Sequence, residues 1–174
     1  MLILSYATKD KKYLNYADRL IQNFAALKYK DYKIIYYPSC NNKFIGCHIK
    51  PTFILNQLLY YKKEILIIDV DSIIKEYPKI SNYVDYDIGF VYTPERKNKI
   101  TNGIHLWNYT NNTINFLKRW QYLCNDKKLR SLDHHRLIQT FEEFKNKLNI
   151  INIRKDISNW FIAELNYNNS YVKF

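Results

Sequence analysis

Apolar positions in this chain shift between two spacings, continuous short runs and helical periods, and the alternation lays out its elements. Residues 2–6 form an apolar run of the length of a buried strand. Behind Thr8 as a cap, Tyr13, Leu14, Ala17, Leu20, Ile21 and Phe24 recur at helical spacing. Residues 32–37 predict a second strand, stopped by Pro38-Ser39. A loop over residues 40–49 leads to Lys50-Pro51, with the proline in the first turn of the next helix. That helix carries Phe53, Ile54, Leu55, Leu58 and Leu59 toward a core and delivers the chain into a third strand, residues 64–68. Residues 87–92 and 100–108 predict further strands joined by a charged loop, 94–99. A helix from Asn111 bears Ile114, Leu117, Trp120 and Leu123; another, capped by Ser131, bears His134, Leu137, Ile138, Phe141 and Phe144. Residues 149–153 are a last strand, and the polar tail, about 167–174, is expected to be loosely held.

Strands alternating with helices predict an α/β domain with a mixed, mostly parallel central sheet flanked by helices. Three glycines and four prolines leave no linker to divide the chain, so residues 1–174 read as one compact domain. A chain of 174 residues can bury roughly two-thirds of its unfolded surface. Its 47% hydrophobic and 17% aromatic content argues against disorder. No run reaches the eighteen or so apolar residues of a membrane span, and residues 1–5 lack a basic leader, which points to the cytoplasm. Cys40, Cys47 and Cys124 lack zinc-knuckle spacing and read as reduced thiols.

Charge changes the picture of partners. A net charge of +11 and a pI near 9.4 invite a polyanion, nucleic acid included. A chain crowded with Lys, Ile, Asn and Tyr also matches A/T-rich coding, which would produce solvated lysines without any partner.

Candidate chemistry concentrates where the third strand ends in Asp69-Val70-Asp71. Alternation in an extended segment would point both carboxylates the same way, offering two hard oxygen ligands to a divalent cation. Open α/β sheets bind ligands at this end of their strands, so such a cation would meet phosphates.

Around this motif the order of pieces resembles a known family. Ser5-Tyr6-Ala7-Thr8 closes the first strand, Lys50-Pro51-Thr52-Phe53-Ile54 opens a helix, and Ile67-Ile68-Asp69-Val70-Asp71-Ser72 follows. Then come Thr101-Asn102-Gly103-Ile104-His105, a helix with Phe116 and Trp120, and Leu132-Asp133-His134. Together these resemble the GT-A glycosyltransferases of the nucleotide-diphospho-sugar transferase type, in their glycogenin and galactosyltransferase-like branch, over roughly residues 1–145. The resemblance implies a Rossmann-like fold and a nucleotide-sugar donor, with UDP as the nucleotide. Tyr6, Ala7, Thr8 and Lys50 would bind that donor, and Asp69 and Asp71 would hold Mn2+ or Mg2+ on its diphosphate. Asn102, Gly103 and Asp133 would surround the transferred sugar as catalytic-site residues, with His134 standing where the family often has Gln. The branch retains anomeric configuration. Its members often supply a late His as a third metal ligand. None of His48, His105, His134 and His135 lies in the C-terminal tail, which leaves water, substrate or Asp156 to complete the shell.

Two other readings stay open. A haloacid-dehalogenase-like phosphatase also places Asp-x-Asp after an apolar strand, the first Asp as nucleophile. That motif normally lies near the start of the chain with a hydroxyl residue two positions on, where this chain has Ile73. A basic nucleic-acid-binding module would use residues 9–12 and 96–99 with exposed tyrosines. Joining the two ideas, a compact, basic transferase would suit a phage or other virus glycosylating a modified DNA base.

Overall fold

The structure, a computed structural model, describes residues 1–39, 43–92, 100–125, 133–164 and 171–172. Its frame is a six-stranded sheet in the order β2-β1-β3-β6-β5-β7. Strands β1 (Leu2–Thr8), β2 (Tyr32–Tyr37) and β3 (Ile65–Ile68) run parallel, with β1 between the other two. Strand β6 (Ile100–Trp107) is antiparallel to both of its neighbours, β3 and β5 (Ile88–Tyr92). The edge strand β7 (Ile150–Asn152) is parallel to β5. One strand of six therefore runs backwards, and the sheet is mixed and mostly parallel, as expected.

Strand side chains alternate between the two faces, and each face is covered differently. Ile3, Ala7, Leu66, Ile68, Ile104 and Leu106 pack against Ala17, Leu20 and Phe24 of α1 (Lys11–Ala26). On the other face, Leu4, Ile65, Ile67, Ile88, Phe90 and Trp107 pack against α2 (Lys43–Tyr61), α3 (Asn111–Asn125) and α4 (Asp133–Phe144). The all-apolar, fully buried Ile65–Ile68 is what a central strand covered on both faces requires.

Three expectations change. The helix begins at Lys43, so residues 43–49 are helical, and Pro51 lies inside α2 instead of in its first turn. An internal proline costs about 3 kcal/mol, but Phe53, Ile54, Leu55 and Leu58 are buried just beyond it, each at roughly 1.5–3 kcal/mol. Packing outweighs propensity. The cap of α1 is Asp10, because β1 continues in register with β2 as far as Thr8↔Tyr37 and holds Thr8 in the strand. Thr8 instead donates its hydroxyl to Asp10 Oδ2 at 2.6 Å. The expected cap Ser131 and the loop 94–99 lie outside the described residues.

Four short elements have no clear signature in the sequence. Strand β4 (Ile73–Ile74) pairs with β8 (Phe161–Glu164), and β8 pairs with β9 (Tyr171–Val172) from the tail, all antiparallel. The single turn α5 (Arg154–Ile157) sits between β7 and this small sheet. Among the described residues no helix is long and apolar enough to cross a membrane.

Candidate functional site

Because β6 alone is reversed, its first residues, not its last, reach the edge where β1 and β3 end. The register Ile68↔Ile104 sets Asn102 and Gly103 beside the residues that follow β3. The Asp69 amide donates to the Gly103 carbonyl at 2.8 Å, continuing the ladder one step past the strand. Gly103 does this without a left-handed backbone, since no described glycine has positive φ.

Past Asp69 the chain turns. The Ser72 amide donates back to the Asp69 carbonyl at 3.0 Å, so residues 69–72 form a closed turn. The expectation that Asp69 and Asp71 share a face of an extended strand is therefore corrected: the pair stands on a turn. A short strand, β4, follows at once, and the chain must bend sharply to enter it.

Asp69 keeps the strand's alternation with Ile65 and Ile67, whose face α2 covers. From α2, Lys50 reaches it with Nζ 2.5 Å from Asp69 Oδ1. The same ammonium donates to the Asn102 backbone carbonyl. Lys50 is only 3% exposed, a charge in the core. Burial works against that charge, but Asp69, Asp133 and Asp71 outweigh it and hold the ammonium pKa above its ordinary value. On Asp69 burial is the largest influence and, with Asp133 added, holds the carboxyl pKa above its ordinary value although Lys50 pulls it down. With about a third of its side chain (36%) open to water and an ammonium in contact, Asp69 is an ionised partner of Lys50.

The network continues through Asn102. Its Nδ2 donates to Asp133 Oδ2 at 2.7 Å, while its buried Oδ1 has no hydrogen-bond partner among the described residues. Asp133 begins α4 and is itself buried; its carbonyl accepts from Trp120 Nε1 at 3.1 Å, which ties the helix start to α3. His134 follows, half-buried, with an imidazole that burial keeps below its ordinary pKa despite Asp133. Beneath these residues His105 is fully buried. Its Nε2 lies 3.0 Å from the Thr101 carbonyl, and burial, helped by Lys50, holds it neutral, well below the ordinary imidazole range.

Of the ten residues singled out from sequence, Lys50, Asp69, Asn102, Gly103 and Asp133 are joined by contacts. Asp71 stands on the same turn and acts electrostatically on Lys50, and Lys50 in turn acts on His134. Tyr6 lies at the same edge, its ring 5.1 Å from Phe53 and 6.0 Å from Tyr37. Thr8 is turned to Asp10, and the Ala7 side chain belongs to the core beneath α1. Asp156 accepts from the Ser81 amide at 2.9 Å and the Tyr83 hydroxyl at 2.6 Å. Sequence reasoning missed Arg19, whose Nη2 donates to the Asp71 carbonyl at 2.6 Å from α1. No one-dimensional signal marks it, since the contact spans 52 residues.

No known family pattern and no curated protein matches the chain. Solved structures do. A glycosyltransferase involved in glycosylation of the major capsid of PBCV-1 superposes with a TM-score of 0.65 at 11% identity, covering 97% of this chain and 95% of that one. The chain has the GT-A glycosyltransferase fold. The apo-form glycosyltransferase GlyE of Streptococcus pneumoniae TIGR4 matches with a TM-score of 0.55 at 10% identity, over 87% of this chain and 45% of that one. The galactosyltransferase LgtC, solved with donor and acceptor sugar analogues, matches at 0.54 and 10% identity, over 87% and 73%. This GT-A fold thus spans less than half of GlyE and nearly all of the PBCV-1 protein.

Proposed function

We propose that this GT-A chain transfers a sugar from a nucleoside-diphosphate donor, with UDP as the nucleotide, to a hydroxyl acceptor. The observation that carries the reading is the buried Lys50, fixed at once to Asp69 and to the Asn102 carbonyl at the carboxyl edge of the sheet. A carboxylate neutralised from within by a buried cation and open on its outer side suits a divalent cation, and through it a substrate whose leaving group is a diphosphate.

Asp69 and Asp71 would hold Mn2+ or Mg2+. Among the described residues no three His, Cys, Asp or Glu side chains are grouped to hold a metal. Two carboxylates fit such an ion all the same, because Mg2+ commonly takes one or two carboxylates plus substrate phosphates and keeps its waters. When bound, the ion offsets charge growing on the departing diphosphate. Lys50 adds a fixed positive charge on the protein side, and the half-buried rings of Tyr6 and Tyr37, backed by the buried Phe53, would meet the nucleoside, with Ala7 and Thr8 offering backbone at the same strand end. Asn102, Gly103 and Asp133 surround the sugar, with Asn102 held to Asp133 by its side-chain amide. The neutral imidazole of His134 stands on the same side. In the transfer the bond from the anomeric carbon to phosphate oxygen breaks, its electron pair leaving with the diphosphate. The acceptor oxygen bonds that carbon, and its proton passes to the departing diphosphate, in a course that retains configuration.

The net charge of +11 supports an anionic acceptor, and our reading places the accepting hydroxyl on a modified nucleic-acid base, as in viral DNA modification. A thermal-shift panel of nucleotide sugars with and without Mn2+ tests the donor site, because a ligand that binds only the folded state raises its stability. A metal-dependent shift that Asp71→Ala abolishes is expected; a shift that survives the substitution overturns the site. Turnover with the stabilising donor on hydroxymethylated DNA, against simple sugar and protein acceptors, then identifies the acceptor.

A further inference from the structure

The turn 69–72 is gripped from both sides of the sheet. Lys50 on α2 holds the Asp69 side chain from one face. From the other, α1 holds the backbone: Arg19 donates to the Asp71 carbonyl at 2.6 Å, and Asn23, one helical turn on, accepts from the Ile74 amide at 3.1 Å. Arg19 and Asn23 are four residues apart and so project from the same side of α1. Between these two contacts lie only Ser72 and Ile73. The guanidinium is itself placed by Tyr16, three residues earlier, whose ring centroid it overlies at 5.1 Å.

We propose that Arg19 is a positioning residue for the Asp69–Asp71 turn, and that α1 thereby sets how tightly the turn binds a divalent cation and diphosphate. The proposal rests on the donor-site reading above. Its physical basis is that the turn projects past the end of β3 with only one ladder bond beyond it, from the Asp69 amide to Gly103. Asp71 lies two residues past that bond, on the turn itself. A charged donor on its carbonyl restricts the peptide plane and with it the direction of the Asp71 side chain. Arginine suits the task because its planar fork can donate to a carbonyl while stacked on an aromatic ring, which lysine does less well.

The test is calorimetric titration of Mn2+ together with UDP into the full chain, with apo-protein melting as a check on folding. Substituting residues that orient metal ligands typically weakens metal binding 10–100-fold, so Arg19→Met is expected to raise the Mn2+ dissociation constant by about ten-fold or more, with Arg19→Lys in between. Arg119→Met, on α3 in a surface pair with Glu143 of α4, is expected to bind as the wild type does. Should Arg19→Met fail to fold, Arg19→Lys and Asn23→Ala carry the test. Unchanged Mn2+ affinity in a folded Arg19 variant overturns the clamp and leaves the donor site standing, provided Asp71→Asn still loses binding. A wild-type chain that takes up no Mn2+ with UDP overturns both.

Discussion

Nζ of Lys50 and Oδ1 of Asp69 lie 2.5 Å apart, yet the cation is sealed in the core while the anion keeps a face to water. A ligand arriving at Asp69 therefore meets a carboxylate whose far side is already neutralised. Removing the ammonium, as in Lys50→Met, strands the Asn102 carbonyl and leaves Asp69 to be solvated from its open face alone. Breaking a buried pair costs about 3–5 kcal/mol, and the exposure of Asp69 brings the expected loss down to about 1–3 kcal/mol. Urea unfolding measures it. Lys50→Arg is expected not to restore stability, because the larger guanidinium must enter a closed site.

Asn102 joins β6 to α4 through one hydrogen bond to Asp133, 2.7 Å long. Asn102→Ala is expected to lower kcat for donor turnover by about 100-fold, the scale of a misplaced positioning group, because it frees Asp133 from β6. Asn102→Asp should be worse, since it sets a carboxylate against Asp133. Steady-state kinetics on the nucleotide sugar that stabilises the fold checks both.

Stability should fall on mild acidification. His105 is held neutral well below the ordinary imidazole value of 6.5, and His134 is lowered in the same direction. Below pH 6.5 the unfolded chain takes up protons that the folded chain refuses, so unfolding is favoured as pH falls toward the folded pKa values. Each such histidine contributes a slope of up to about 1.4 kcal/mol per pH unit within that window. Denaturant midpoints at pH 7.5 and 5.5 are expected to differ less in His105→Phe than in the wild type.

Gly89→Ala tests the packing of β5, next to the β7 edge of the sheet. A Cβ at Gly89 would lie 2.9 Å from both Ile153 Cγ2 and Leu106 Cβ and 3.3 Å from Ile151 Cγ1, so β5, β6 and β7 close tightly around it. Overpacking costs about 1–3 kcal/mol, and thermal melting should register a loss of that order.

Where one segment's own pattern decided its state, the sequence was readable. The strand of residues 32–37 and the helix from Asn111 stand as their periodicity predicts, because burial on a single face leaves a period. The start of α2 was hidden because Pro51 argued for a boundary that distant packing overrode. The turn at Asp69 was hidden for a related reason. Nothing local distinguishes a strand that continues from one that bends into β4, whose partner lies some ninety residues later in β8. Of the site, the end of an apolar strand brought forward Asp69, and the family resemblance brought forward Lys50, Asn102 and Asp133, but neither disclosed the Lys50–Asn102 carbonyl bond. Nor could the sequence disclose Arg19, since both contacts are made across the fold.

The single reversed strand makes the site a matter of registration. His105 and Trp107 face the α2–α4 side, whereas Ile104 and Leu106 face α1. Slipping β6 by one residue against β3 would exchange these two sets, forcing an imidazole and an indole into the α1 side of the core. The same slip would carry Asn102 and Gly103 about 3.3 Å along the edge, away from Asp69 and Lys50. Changes in the length of the segment before β6 can therefore be absorbed without moving the site, as long as the rings buried beneath it keep their seats.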